Sequence, residues 1–320
     1  SGDVTELIPA SALVRTDSAG AGIGDLLISD NGGLRLVHGR SRDEWGPMGT
    51  SIAAATLTAF GSNGSIAALG DVNRDGEDDF AVLISAGVSA GVLTIYSGGG
   101  APGTFTTLAT ISGLPANASL FSAGDVDGDA VNDVLISGTA GSYLVFGGAL
   151  SGDMTLATLL IDPSGPALPE ALLLPAGAWK PIGDFDGPNV KGSRFADLGA
   201  AVMVTSGKLD ESVALLAHQV LNVFLGGERS TLAQAFSAPD LVIEPGRASY
   251  VSTGVQPNRA FFGAAVEHVA GDGKMRTLLA VTGPAGDSLR LYDGSKLAPA
   301  DRSAAAPGLP HARELFVFPL

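Results

Sequence analysis

The sequence contains no cysteine. That excludes a disulfide framework and thiolate metal ligation, although a chain of 320 residues can build a core without covalent staples and is compatible with an oxidising compartment. Basic residues are scarce, with 18 Lys and Arg against 33 Asp and Glu, giving a formal net charge of −15. No basic stripe is available for a phosphate backbone or an anionic bilayer, so neither nucleic acid nor membrane insertion is expected. No apolar run reaches the roughly 18–20 residues of a membrane-spanning helix. No charged-then-apolar leader opens the sequence, which is compatible with a leader already removed or with neighbouring domains of a larger chain. Aromatic residues make up only 6%, with two tryptophans, too few for a sugar-stacking face; Trp45 and Trp179 are expected in the core or at its rim. The four histidines, His38, His218, His268 and His311, lie far apart without metal-ligand spacing. Neither a G-x-S-x-G elbow nor a phosphate loop occurs, so no catalytic residue is assigned.

Glycine and small apolar residues are plentiful. A hydrophobic share of 45% with 45 glycines and 18 prolines favours short strands joined by tight turns, hence an all-β fold. Among the turns stands an acidic loop, Asp71-Val-Asn73-Arg-Asp75-Gly76-Glu77-Asp78-Asp79. It returns 54 residues later as Asp125-Val-Asp127-Gly-Asp129-Ala-Val-Asn-Asp133. Oxygen side chains at positions 1, 3, 5 and 9 suit a hard cation such as calcium, which takes six to eight oxygens at roughly 2.3–2.6 Å. The expected ligands are Asp71, Asn73, Asp75 and Asp79 with the Glu77 carbonyl, and Asp125, Asp127, Asp129 and Asp133 with the Val131 carbonyl. Carboxylates ~4–5 Å apart repel by about 1 kcal/mol per pair in water, and by more when buried, so an ion is the economical reading of such crowding. Gly76 suits the positive φ of a sharp turn, and Ala130 at the matching place points to a slightly different backbone.

The loops sit in a recurring frame. Around Asp71 come an apolar segment, the loop, Phe80 to Ile84, a second strand Val92 to Tyr96 ending in Gly98-Gly-Gly100, and a third, Thr104 to Ile111. Around Asp125 the same order gives Val134 to Ile136, Tyr143 to Phe146 before Gly147-Gly148, and Met154 to Ile161. Three weaker copies follow from that template. In the first, Asp17 and Asp25 keep the spacing while Ala19 and Ala21 replace the middle ligands. In the fourth, Asp184 and Asp186 are followed after an insertion by Asp197, a third candidate calcium site. In the fifth, His268 and Arg276 occupy the first and ninth positions, so a side-chain cation is expected there instead of an ion. Loop starts at 17, 71, 125, 184 and 268 give steps of 54, 54, 59 and 84. The excess falls between Ser206 and Gln219, read as a short helix or an elongated hairpin. The approximate repeats are 1–51, 52–111, 112–163, 164–243 and 244–320, taken as one domain spanning 1–320. A four-stranded unit cannot bury both faces alone, and radial packing into a β-propeller answers that need. Val4 to Leu7 or Glu314 to Leu320 supplies a last strand joining the termini, or both are ordinary edge strands.

These residues resemble FG-GAP repeats, the units of integrin alpha-chain propellers and of many bacterial surface and secreted propellers. The fifth repeat is nearest the naming motif, with Phe262-Gly263-Ala-Ala-Val266 before its loop and Thr282-Gly283-Pro284 after its second strand. The second and third carry the family's calcium loop. Integrin propellers have seven blades, whereas five repeats are visible here; the ring is small, or further blades lie outside this sequence, or degenerate units are present. The resemblance implies calcium loops on one face and ligand contact elsewhere. Together with the acidic charge it leads to an expectation of a calcium-stabilised extracellular module, secreted or at the cell surface, that binds a protein or glycan on a loop face without catalysis. The alternatives are a carbohydrate-active enzyme on a propeller scaffold, a polysaccharide lyase or hydrolase, and a purely structural domain of a larger surface protein.

Overall fold

Alternating apolar residues bounded by glycine-rich turns fold here as short antiparallel strands, because successive side chains point to opposite faces and each face finds apolar neighbours. The computed structural model describes residues 4–9, 25–30, 33–37, 57–60, 64–84, 90–100, 105–160, 168–183, 195–206, 216–243, 259–267, 275–282, 288–293 and 313–319. Within them the protein is all-β, with two short helices. The first sheet runs β1 (Val4–Pro9), β2 (Leu26–Asp30), β3 (Gly33–Val37) and β4 (Leu57–Ala59), each strand pairing with the next. The second repeats the order with β5 (Gly64–Gly70), β6 (Asp79–Ile84), β7 (Gly91–Ser97) and β8 (Thr106–Leu114). The third begins with β9 (Ser119–Gly124), β10 (Asp133–Gly138) and β11 (Gly141–Val145).

At this point the chain departs from the sequence reading of Met154 to Ile161 as one strand. Gly152–Thr155 forms β12, which adds in parallel to β8 of the second sheet, and Leu156–Leu160 forms the helix α1. The third sheet is completed by β13 (Ala171–Leu174), which pairs with β11. The cause is local. Thr155 Oγ1 accepts the Thr158 N–H at 3.2 Å, an N-cap that starts a helix, and Leu156 and Leu159, spaced for one helical face, are both buried. Likewise β4 extends the first sheet past the expected boundary at 51.

The fourth sheet comprises β14 (Ala178–Gly183), β15 (Asp197–Ser206), β16 (Leu216–Phe224) and, after the helix α2 (Arg229–Ala235), β17 (Leu241–Ile243). Its second and third strands pair over nine positions from Leu198↔Phe224 to Ser206↔Leu216. The elongated-hairpin reading of the inserted segment therefore holds for its paired part, while residues 207–215 lie outside the described residues. The fifth sheet comprises β18 (Arg259–Glu267), β19 (Met275–Thr282), β20 (Ser288–Asp293) and β21 (Arg313–Pro319). The β18–β19 register shifts between Phe262 and Ala265, where Gly263 sits. The first and last described strands are each edge strands of their own sheets, β1 beside β2 and β21 beside β20.

The chain divides into two compact units, Ser1–Gly124 with Ala130–Leu174 and Asp125–Asp129 with Pro175–Leu320. In the first unit, strand β6 shows how the core is built. Phe80 and Val82 join Leu27, Leu36 and Ile66 on one face, whereas Ala81 and Leu83 join Leu93, Ile95, Val134 and Ile136 on the other. The middle sheet thus buries both faces, which is why β6 reads as a continuous apolar run. Phe80 is ringed by Phe105, Tyr96 and Phe60 at centroid separations of 4.9, 5.1 and 5.4 Å. In the second unit Trp179 is buried and packs on Phe224 at 4.6 Å. Its Nε1–H donates to the Pro175 carbonyl at 2.7 Å, so the core reading holds for Trp179; Trp45 lies outside the described residues. Phe80→Ala is expected to lower the unfolding free energy by about 3–5 kcal/mol through loss of packing and a residual cavity. Leu173→Ala, at a side chain 63% exposed, should change it by less than about 0.5 kcal/mol, both read from urea midpoints.

Candidate metal-binding loops

In the second, third and fourth repeats the loop follows a strand that ends in glycine and leads into a strand that begins with aspartate. The pairs Gly70↔Asp79, Gly124↔Asp133 and Gly183↔Asp197 close the loops of the second, third and fourth repeats, and a register shift accompanies each. All three aspartates are buried. Asp79 Oδ2 accepts the Val72 N–H at 3.0 Å and its Oδ1 accepts the Gly98 N–H at 3.0 Å. Asp133 Oδ1 accepts the Gly147 N–H at 3.0 Å, and Asp197 Oδ1 the Gly226 N–H at 2.8 Å. The ninth loop position therefore has a second task, tying the glycine after the third strand to the start of the second. The glycine pairs were visible in the sequence as strand ends, but nothing there links them to a carboxylate. Asp25, at the same place in the first repeat, is also buried.

The loop from Asp71 is folded around its own carboxylates. Asp71 Oδ1 accepts the N–H groups of Asn73 and Arg74 at 3.2 and 2.6 Å, and Oδ2 accepts that of Gly76 at 2.9 Å. Asn73 Oδ1 accepts the Asp75 N–H at 2.8 Å, and Asp75 Oδ1 accepts the Glu77 N–H at 2.9 Å. Asp75 Oδ2 receives the Asn73 amide at 2.9 Å and the Ser97 hydroxyl at 3.2 Å. The second loop repeats the inward turn. Asp125 Oδ1 accepts the N–H groups of Gly128 and Asp129 at 2.7 and 3.0 Å, and Asp127 Oδ1 is 3.2 Å from the Asp129 N–H. Ala130, with φ +67°, takes the same left-handed conformation as Gly76 at φ +85°. The left-handed turn is thus kept at Ala130 with a slightly smaller φ, and the loop geometry overrides the side-chain penalty of about 1–2 kcal/mol.

Among the described residues, Asp125, Asp127 and Asp133 form a group able to hold a metal ion, their ligand oxygens all within 4.8 Å of one another. The donors are hard oxygens only, without nitrogen or sulfur, which fits a hard cation. Asp129 enters this loop through its N–H, while Val131 is buried. Asp71, Asp75 and Asp79 are not brought together in this way, and at the third position of their loop stands Asn73, a neutral amide that donates to Asp75 Oδ2. Of the third candidate site, Asp197 is in place at the head of β15, whereas Asp184 and Asp186 lie outside the described residues. His268 and the fifth loop lie outside them too; Arg276 is the second residue of β19.

Burial dominates the electrostatics. Desolvation pushes Asp79 up from the usual carboxylate range to about 6, against the lowering by the Val72 and Gly98 N–H groups. Asp127 is also raised, by desolvation and by Asp129, with Arg229 opposing. The Arg229 guanidinium lies 4.0 Å from Asp127 Oδ2, a pairing with no signal in the sequence because α2 begins about 100 residues away. Compared with protein-family models and with curated proteins, the chain matches none.

Two outcomes follow. Because Asp79 in the folded state lies above the ordinary aspartate value of 3.8, the folded state binds the proton more tightly. In metal-free buffer its contribution to stability is then fully present below about 3.8 and is lost as pH rises through about 6. Denaturation midpoints measured from pH 4 to 7 should show that decline, and Asp79→Asn should flatten it. Ala130→Gly should raise stability by about 0.5–1 kcal/mol, the relief of left-handed strain less the gain in unfolded-chain entropy, checked by the same midpoints.

Proposed function

We propose that this protein is a calcium-stabilised β-propeller acting as an extracellular binding or adhesion module, without catalysis of its own. The observation that carries the reading is the Asp125–Asp127–Asp133 oxygen cluster, set in a loop whose inward-turned backbone recurs at Asp71. Calcium is favoured over magnesium because the loop offers several carboxylate and carbonyl oxygens, whereas magnesium demands a tighter octahedron and keeps its waters. An ion there also resolves the cost of burying the ninth-position aspartates, since it favours their charged form. Calcium is abundant outside cells, and the acidic, cysteine-free composition is at home there. No helix of the described residues is long and apolar enough to cross a membrane. Radial packing of the five sheets would give both faces of each a neighbour, as the second sheet already has. Its ligand, a protein or a glycan, would be met by loops between the strands.

Calcium at about 100 times its dissociation constant should add about 2.7 kcal/mol by mass action, seen as a melting temperature several degrees higher than in chelator. The gain should shrink as pH falls through about 6, because protons compete for the same oxygens. Asp127→Asn should weaken the calcimetric response of one site and leave the other. Melting unchanged by exhaustive chelation would overturn the metal assignment. For binding, beads carrying the chain would be presented with glycan and extracellular-protein arrays in calcium and in chelator. Calcium-dependent retention without shortening of the polysaccharides is the expected result; depolymerisation would instead make it an enzyme.

A further inference from the structure

Two backbone hydrogen bonds recur between successive repeats, with the same partners and the same direction. In the first unit Asn132 N–H donates to the Asp71 carbonyl at 3.2 Å, and Gly148 N–H donates to the Val72 carbonyl at 2.8 Å. In the second unit Ala196 N–H donates to the Asp125 carbonyl at 2.7 Å, and Gly227 N–H to the Val126 carbonyl at 3.0 Å. The donors are equivalent. Asn132 and Ala196 each precede the buried aspartate of their own repeat, while Gly148 and Gly227 each follow the glycine which that aspartate holds. The acceptors are equivalent as well, being the first two carbonyls of the preceding loop.

Close packing surrounds both pairs. Asn132 Nδ2 adds a bond to the Leu69 carbonyl at 2.9 Å. The Phe195 ring occupies the space a side chain at Gly128 would need, and a Cβ at Gly226 would stand 2.5 Å from the Ala196 carbonyl and 2.8 Å from that of Val126. Consistently, Asp125–Asp129 group with the second unit, although the strands on either side of the loop, β9 and β10, belong to the first.

We infer that the Asp71 and Asp125 loops are each a socket for the next repeat, and that the residue before the buried aspartate, with the second glycine, is the plug. The latch is directional. A loop's order is set by the repeat that follows it rather than by the strands it joins, and this holds whether or not an ion sits in the loop.

Hydrogen exchange read by mass spectrometry on the full chain tests the direction. Trp179→Phe loosens the fourth repeat from within its core, and Gly226→Ala obstructs the plug directly. In both variants the Gly128 and Asp129 amides, which are bonded to Asp125 Oδ1, should exchange about tenfold faster together with those of Ala196 and Gly227. The amides of Val134 to Ile136 should keep their rates. Phe80→Leu, which loosens the second repeat, should leave 125–129 unchanged. Loop amides that stay protected in the two fourth-repeat variants, or that open with β10 or after Phe80→Leu, would overturn the latch.

Discussion

A buried carboxylate at the head of the second strand holds the second, third and fourth repeats together. Placing Asp79, Asp133 and Asp197 inside the protein is costly unless each is bonded, and the bonds that meet the cost also fix the architecture. Each reaches the glycine after the third strand, and Asp79 also reaches back to the second residue of its loop. In the fourth repeat the residues between Gly183 and Asp197 are more numerous than in the others, yet the pairing Gly183↔Asp197 and the bond to Gly226 are kept. The carboxylate, rather than loop length, is what defines the unit.

Charge is the tension in this arrangement. Desolvation and neighbouring aspartates raise Asp79 and Asp127, so the loops are folded in a state that favours positive charge nearby. Backbone N–H groups supply part of it, and Arg229 supplies part at Asp127. A hard cation would supply the rest at a place where no long side chain need be ordered. The two loops are not equal in this respect, because Asn73 stands where Asp127 does.

Much of this was legible in the sequence. Among the described residues five sheets stand where five repeats were read, though β12 and β13 fall across the expected boundaries; the loop positions were read from the spacing of Asp71 and Asp125 because oxygen ligands and turn residues leave a pattern in the chain itself. The tract after Gly148 was not legible, since Leu156, Leu159 and Leu160 satisfy a strand or a helix face equally in so short a window; the cap from Thr155 decided it. Nor could the bond from Asn132 to the Asp71 carbonyl be foreseen. It uses main-chain atoms that every residue has, so no residue type announces it. Arg229 was hidden for the opposite reason: its type is informative, but its partner is set by the path of the chain between β16 and β17.

Strand β12 gives the second sheet something the other four lack among the described residues. Without it, β8 would present nine residues of unpaired main chain, a template for another molecule to pair with. The added strand is four residues long, mostly exposed, and carries Asp153. Over Ala109–Ser112 that border is covered, and the edge left there is short and charged. In a glycine-rich protein built from repeated sheets, a covered and charged border is a poorer template for edge-to-edge pairing.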